Sequence, residues 1–294
     1  MPSVVFSMLR DLEVSAGMKV LEIGTGTGWN AALLAYRLGL ENVTSIEVDA
    51  AVADTAREAL RRFGLPVRVV TGDGLQGHRA DAPYDRIIAT CGLRGLPFAW
   101  VEQTRPGGLI LAPWGTNYVH LDATVRLTVA DDGQSASGRF LHPVEFMKLR
   151  AQRLAWPEHS EYVPEGAITS AARSSTVISA KDFGVEQFDA AAFAVGLQVR
   201  DCVRAVAEKR HGSQPVWFYS SACRSWAAVT FCDHGRKATV YQSGHRSLWD
   251  EVEAAWHWWD LSGRPGFGRF GLTVTAEGQT AWLDAPDHPV PLVG

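Results

Sequence analysis

Short apolar runs punctuate the first 115 positions, and most are followed by a stretch with helical spacing. The runs 19–23, 43–48, 67–71, 84–89 and 109–112 are rich in Val, Ile and Leu and are bounded by glycine, proline or charged residues. That pattern predicts strands buried on both faces. Between them, 29–38, 51–63 and 97–104 read as helices. Val52, Ala56, Leu60 and Phe63 fall on one face of the second, and Pro97 suits the first turn of the third. Repeated strand–helix units predict a parallel sheet with helices on both faces, whose ligands bind at the C-terminal edge of the strands. Pro106, Gly107 and Gly108 predict a turn before the fifth strand, and two more strands are expected at 124–129 and 138–141.

The pattern changes after about residue 155. The stretch 160–175 mixes Pro, Gly, Ser and Thr and reads as a linker or irregular segment. Beyond it, 190–210 is expected as a helix, 216–220, 226–232 and 238–242 as strands, and 248–259 as a helix. Leu248, Val252, Ala255 and Trp259 share a face of that last helix. The runs 271–275 and 280–283 flank a hairpin turn. The fold class expected is therefore α/β: a Rossmann-like sheet over 1–155, then a smaller α+β domain over 156–294. Peptide recognition is the candidate role of that second domain.

The chain has 294 residues, a net charge of -4 and no basic face marking a nucleic-acid partner. The N-terminus has no secretory pattern and no run approaches a membrane span, so a cytoplasmic protein is expected. The four cysteines, Cys91, Cys202, Cys223 and Cys232, form no CxxC pair and read as reduced thiols. Cys232 and His234 have no second pair at ligand spacing, and no metal site is expected.

The strongest chemical signal is Val20-Leu21-Glu22-Ile23-Gly24-Thr25-Gly26-Thr27-Gly28: three alternate glycines between a strand and a helix. Glycine allows a tight turn and lets a ligand lie against the backbone. A dinucleotide site more usually carries G-x-G-x-x-G. The spacing here, with an acid two residues before the first glycine, resembles motif I of S-adenosylmethionine methyltransferases. The resemblance implies S-adenosyl-L-methionine as cofactor, held by Glu22, Gly24, Thr25, Gly26 and Gly28, with Glu22 facing the cationic methionine end. Glu47 closes the second strand, where a carboxylate accepts from ribose hydroxyls. Asp49 competes for that role, although it also suits a helix cap. Asp73 and Gly74, after the third strand, match the position that receives the adenine amino group.

Three longer segments narrow the resemblance: 72–77 (GDGLQG), 82–90 (APYDRIIAT) and 103–108 (QTRPGG). With Pro2, Ser3, Val4, Val5, Met8 and Leu9, they are similar to the protein-L-isoaspartate O-methyltransferase family over roughly residues 2–150. The resemblance implies that Ser3 and Thr90 position the reacting carboxylate and that Cys91, Gly92 and Leu93 contact the substrate. Ser3 reads equally as a terminal helix cap. Gln103 matches a family glutamine without an assigned role. In the family a longer segment precedes the serine, which implies a shortened form here or a start further upstream.

Segments 244–253 and 270–275 resemble the C-terminal part of actinobacterial homologues that act on ribosomally made, modified peptides of the lanthipeptide and graspetide types. That resemblance implies a peptide partner, methylation of an aspartate side chain, and succinimide formation from the ester. The alternative it leaves open is methylation of isoaspartyl residues in protein repair. A non-catalytic peptide-binding scaffold and a nicotinamide oxidoreductase are the readings from other classes. Trp249, Trp256, Trp258, Trp259 and Trp282 are dense enough to suggest a peptide anchor among them, although large aromatics more often fill a core.

Overall fold

The computed structural model describes residues 2–185, 189–233 and 237–294. The chain divides into two compact units. The first contains residues 1–114, 122–152 and 267–289; the second contains 115–121, 153–266 and 290–294.

The first unit opens with α1 (Pro2–Asp11), then β1 (Val20–Ile23), α2 (Trp29–Leu38), β2 (Val43–Glu47), α3 (Ala50–Arg62), β3 (Arg68–Thr71) and β4 (Tyr84–Ala89). It continues with α4 (Phe98–Gln103), β5 (Thr104–Trp114), β6 (Asp122–Val129) and β7 (Ser135–Val144). β1 pairs in parallel with β2 and β4, so Ile23, Ile46 and Ala89 stand side by side at one end. β5 is parallel to β4, while β6 and β7 run antiparallel. β6 therefore begins, at Asp122, on the edge where the parallel strands finish.

The core follows many of the expected apolar positions, but in α3 it is Ala53, Ala56 and Leu60 that are buried, while Val52 and Phe63, the latter the C-cap beyond the last turn, are exposed. Met8 of α1, Leu12 just past its end, Leu34 and Leu38 of α2 and Leu60 of α3 bury against Val20, Val43, Ile88 and Leu111. Each such side chain contributes roughly 1.5–3 kcal/mol of transfer free energy. Pro97 sits just outside α4 as its cap rather than in its first turn. Pro106, Gly107 and Gly108 lie within β5 instead of forming a turn, and the pairing with β4 shifts register there.

In the second unit the expected linker carries α5 (His159–Tyr162), α6 (Ala167–Ser170) and β8 (Ala172–Thr176). There follow α7 (Ala180–Phe183), α8 (Ala190–Gln198), β9 (Cys202–Val206), β10 (Ser213–Ser220), β11 (Trp226–Cys232), β12 (Ala238–Ser243) and α9 (Leu248–Leu261). The helix expected over 190–210 stops at Gln198. Asp201 takes a left-handed φ of 52°, and the β-branched residues beyond it pair with β10. The five strands form an antiparallel sheet in the order β8-β12-β11-β10-β9. Alternation along β10 puts Val216 and Phe218 on one face and Trp217 and Tyr219 on the other. Phe218 and Phe183 pack on Trp249 of α9 at 5.7 and 5.5 Å.

The last two strands, β13 (Phe270–Thr275) and β14 (Gly278–Leu283), return to the first unit. β13 pairs with β7, completing a nine-stranded sheet in the order β14-β13-β7-β6-β5-β4-β1-β2-β3. The span 156–294 is thus not one domain: its final hairpin extends the first sheet. Trp249, Trp256, Trp259 and Trp282 are buried, which makes them core residues, and Trp258 is half-buried. No helix among the described residues is long and apolar enough to cross a membrane. The four cysteines are free, and His234 lies outside the described residues.

Candidate functional site

β1 ends in the glycine loop because three residues there adopt left-handed backbone: Gly24, Gly26 and Gly28 have φ of 95°, 55° and 81°. The N–H groups of Gly24 and Thr25 donate to the Ile46 carbonyl at 2.9 and 3.1 Å, which ties the loop to the end of β2. A Cβ on Gly26 would meet nothing within 4 Å, whereas one on Gly28 would stand 3.1 Å from Leu60 Cγ. The face at Gly26 is therefore open, and the face at Gly28 is packed.

Glu22 is wholly buried beneath this loop. Its Oε1 accepts from Asn30 Nδ2 at 2.7 Å and its Oε2 from Ser45 Oγ at 2.6 Å. Ser45 is in turn 2.6 Å from Thr25 Oγ1. Burial pushes the Glu22 carboxyl up to about 7, the neighbouring Glu47 charge adds to the rise, and the two hydrogen bonds oppose it. Glu22 thus faces Asn30 and Ser45 rather than an open ligand surface. The expected direct contact gives way to a supporting role, because the alternation of β1 directs residue 22 into the layer beneath α2. Thr25 is buried as well, with its hydroxyl turned to Ser45.

Glu47 sits at the end of β2, half-buried, with Oε2 accepting from Gly26 N at 3.0 Å and Oε1 from Asp49 N at 3.1 Å. Asp49 caps α3 by accepting from the N–H groups of Ala51 and Val52, and it ion-pairs with Arg150 at 2.8 Å. The helix-cap role of Asp49 is thereby occupied, while Glu47 lies against the glycine loop. Asp73 is exposed and accepts from Leu75 N at 3.0 Å. The loop that follows is anchored from α4: Trp100 Nε1 donates to the Gly74 carbonyl at 2.8 Å, and Gln103 Nε2 to that of Gln76 at 2.7 Å.

Thr90, after β4, donates its backbone N–H to Ile23 O at 2.9 Å and its hydroxyl to Gly24 O at 2.6 Å. The two strand ends are thus joined through one side chain. Cys91 lies beside them, its thiol raised to about 12 mainly by burial. Gly92 and Leu93 are buried; Leu93 is 0% exposed. Leu93 is a core residue, held by a backbone bond to Pro113, and does not fit the expected substrate contact. Ser3 is exposed in the first turn of α1, one residue inside the helix rather than capping it. No described hydrogen bond joins it to Thr90 or the glycine loop.

Several residues of this edge stand outside the sequence expectation. Gln152 Oε1 accepts from the N–H groups of Arg94 and Gly95 at 2.7 and 3.1 Å. Gln279 of β14 accepts from Leu96 N at 3.1 Å and donates to Arg94 O at 2.8 Å. Asp122, fully buried, holds Arg94 and Lys148. For Asn30 and Ser45 a signal existed: each is a polar residue set among apolar neighbours in a helix or strand. Gln152 and Gln279 carried none.

A parallel sheet with a glycine loop after β1, an acid ending β2 and a further acid after β3 defines a Rossmann-like fold of the methyltransferase type. The chain belongs to the protein-L-isoaspartate(D-aspartate) O-methyltransferase family, whose family model matches residues 1–153. A protein-L-isoaspartate O-methyltransferase of Thermococcus sibiricus is 42% identical over 120 residues, covering 40% of this chain and 54% of that protein. Protein-L-isoaspartate O-methyltransferase 2 of Syntrophobacter fumaroxidans is 37% identical over 149 residues, 50% of this chain and 59% of that protein. The chain thus spans little more than half the length of these curated relatives. A solved structure described as a protein-L-isoaspartate O-methyltransferase superposes with a TM-score of 0.55 at 20% identity, covering 97% of this chain and 81% of the other. That likeness in fold extends well past residue 153.

Proposed function

We propose that the protein is an S-adenosylmethionine-dependent O-methyltransferase acting on an aspartyl-derived carboxylate in a peptide or protein. The observation that carries this reading is the open glycine loop joined to Glu47 on one side and to Thr90 on the other, at one sheet edge. S-adenosylmethionine supplies, when bound, an electrophilic methyl group on a cationic sulfur. The residues fit it. Gly26 leaves the backbone bare on its open face, and Glu47 presents acceptor oxygens at the loop. Asp73 and Gly74 line the next strand end, while Glu22 and Thr25 support the loop from below.

The chain's own part in the chemistry is placement. A carboxylate is ionised at neutral pH and accepts a methyl group without losing a proton, so the reaction requires no base. Rate comes from holding that carboxylate close and in line. Ser3 carries a hydroxyl suited to this, and Thr90, Cys91 and Gly92 belong to the loop that would border the acceptor. Thr90 would position the carboxylate through that loop, since its hydroxyl donates its one proton to the Gly24 carbonyl and keeps acceptor loop and glycine loop in fixed relation.

Family membership favours an isoaspartyl acceptor, as in protein repair. The narrower reading, an aspartate in a ribosomally made modified peptide with succinimide formation, draws on the C-terminal sequence likeness and on a second unit that offers a separate surface for peptide. The fold likeness across 97% of the chain weakens that second argument, because a structure described as an isoaspartate methyltransferase shares the extended architecture. Mass spectrometry after incubation with S-adenosylmethionine separates the two. A gain of one methyl on an isoaspartyl peptide supports repair-type activity. Methylation confined to a cyclised precursor peptide, followed by loss of methanol, supports the narrower one. No methylation of either overturns the proposal.

A further inference from the structure

Glu22 lies beneath the open glycine loop without a counter-ion among the described residues. Its side chain is 0% exposed, and both carboxylate oxygens are met by neutral donors, Asn30 Nδ2 at 2.7 Å and Ser45 Oγ at 2.6 Å. The elements packed against it bring no cation. β2 contributes Ser45 and, at its end, the Glu47 carboxylate. The loop after β4 contributes Cys91, whose thiol is pushed up to about 12 and stays uncharged at neutral pH. On β4 itself, Arg86 pairs with Val20 at the start of β1, and its guanidinium is taken by the carbonyls of Leu12, Glu13 and Asp85. α2 contributes Asn30, and its basic residue, Arg37, stands in the last turn. α1 presents Met8 to the same layer.

A buried carboxylate held only by neutral donors favours its protonated form. Burial is the leading cause that takes Glu22 up to about 7, and the Glu47 charge adds to it. The neighbours are matched to either form. Asn30 Nδ2 donates to the carboxylate, while Asn30 Oδ1 is buried with no hydrogen-bond partner and, with the amide turned about, accepts from the carboxylic acid. From Oε2 a chain of hydroxyls, Ser45 and then Thr25 at 2.6 Å from it, leads into the glycine loop and gives a proton a way out.

We propose that Glu22 is a specificity-determining residue that senses the charge of the ligand on the glycine loop: it gives up a proton when the cationic S-adenosylmethionine binds and keeps it when the neutral S-adenosylhomocysteine binds. The inference rests on the cofactor reading above. The cofactor carries a sulfonium, an ammonium and a carboxylate, so it is a cation overall; the product has lost the sulfonium charge and is neutral overall. A positive charge arriving above a buried, unpaired acid favours the ionised form, and the attraction is poorly screened there. By linkage, the ionised form holds the cofactor more tightly. In the transfer the S–CH3 bond breaks and an O–CH3 bond forms on the acceptor carboxylate. The charge above Glu22 is then gone, its carboxyl regains a proton from solvent, and the preference for the cation no longer retains the product.

The test is calorimetric titration of the full chain at pH 6 with each ligand, in two buffers of different ionisation enthalpy, whose difference reports the protons released. At that pH the ammonium of either ligand stays protonated, and Glu22 is mostly protonated in the free chain. If the cofactor lowers the Glu22 pKa by about one, binding releases about 0.4 proton, and the ionised form binds the cofactor about tenfold more tightly than the protonated form. No release is expected with S-adenosylhomocysteine. Glu22→Gln should abolish the release and, at pH 7.5, cut the preference for cofactor over product by roughly fivefold to tenfold. Equal release with both ligands, or none with either, overturns the inference and leaves the cofactor reading standing; release that survives Glu22→Gln does the same. If neither ligand binds, the cofactor reading fails and this inference with it. Should Glu22→Gln not fold, the comparison of the two ligands on the wild-type chain decides.

Discussion

Gln279 donates its side-chain amide to the carbonyl of Arg94 at 2.8 Å, bridging 185 positions of sequence. The same side chain accepts from Leu96 N and from Trp114 Nε1, at 3.1 and 3.2 Å. The final hairpin therefore does more than lengthen the sheet: it holds the loop that follows Thr90. Gln279→Ala leaves buried backbone groups without their partner, and each such loss costs about 1–3 kcal/mol. The expected result is a lower urea midpoint together with a higher peptide KM, while cofactor affinity stays near that of the wild type. A variant with unchanged midpoint and unchanged KM would show the bridge to be idle.

Glu22 sets a pH dependence of stability. Its carboxyl is raised from 4.5 to about 7 in the fold, chiefly by burial, so the folded state keeps a proton that the unfolded chain has already released. Stability from this group is full below the unfolded value of 4.5. It declines as pH rises towards about 7 and is level above that. The loss is on the order of 3 kcal/mol for a shift of this size. Urea denaturation between pH 5 and 8 should show the decline, and Glu22→Gln should flatten it and be the more stable form at pH 8. A parallel decline in the variant would assign the effect to other groups.

Much of the first sheet was legible in sequence, because strands buried on both faces are continuous apolar runs and their helices carry an apolar stripe. The glycine loop was equally legible, since alternate glycines after a strand have few other uses. Partners far apart in sequence were not. Strands β13 and β14 were foreseen as strands, but apolar alternation does not say which sheet receives them. Gln279 reads as a solvated turn residue until the hairpin is placed beside Arg94. Residues 199–206 continued an apolar helix by composition, and only the pairing with β10 makes them a strand. Leu93 looked like a loop contact because it follows Thr90, yet it bridges in parallel to Trp114 at the end of β5 and is buried there.

Glu47 and Asp49 lie two residues apart and are separable by substitution. Glu47→Gln removes the charge that faces Gly26 N and any ribose hydroxyls there, and cofactor affinity should fall by about tenfold or more. Asp49→Ala removes the cap of α3 and the ion pair with Arg150, so it should lower the melting temperature while leaving affinity unchanged. Isothermal titration with S-adenosylhomocysteine, alongside thermal melts, checks both. The reverse pattern would make Asp49 the ribose ligand and Glu47 a loop support.

The glycine loop offers the sharpest contrast between fold and function. Gly26 and Gly28 both have left-handed φ, 55° and 81°, so a side chain at either costs about 1–2 kcal/mol in backbone strain. Their surroundings differ. A Cβ at Gly26 points into open space, whereas one at Gly28 presses on Leu60 at 3.1–3.2 Å, and overpacking of that kind adds about 1–3 kcal/mol. Gly26→Val should therefore fold with a modest loss in melting temperature and fail to bind S-adenosylhomocysteine, because its branches fill the space beside Glu47. Gly28→Val should lose more stability, through the contact between the loop and α3. If folded Gly26→Val binds as tightly as the wild-type chain, the ligand does not lie on this loop, and the proposed placement of Glu47 and Thr90 about it fails with it.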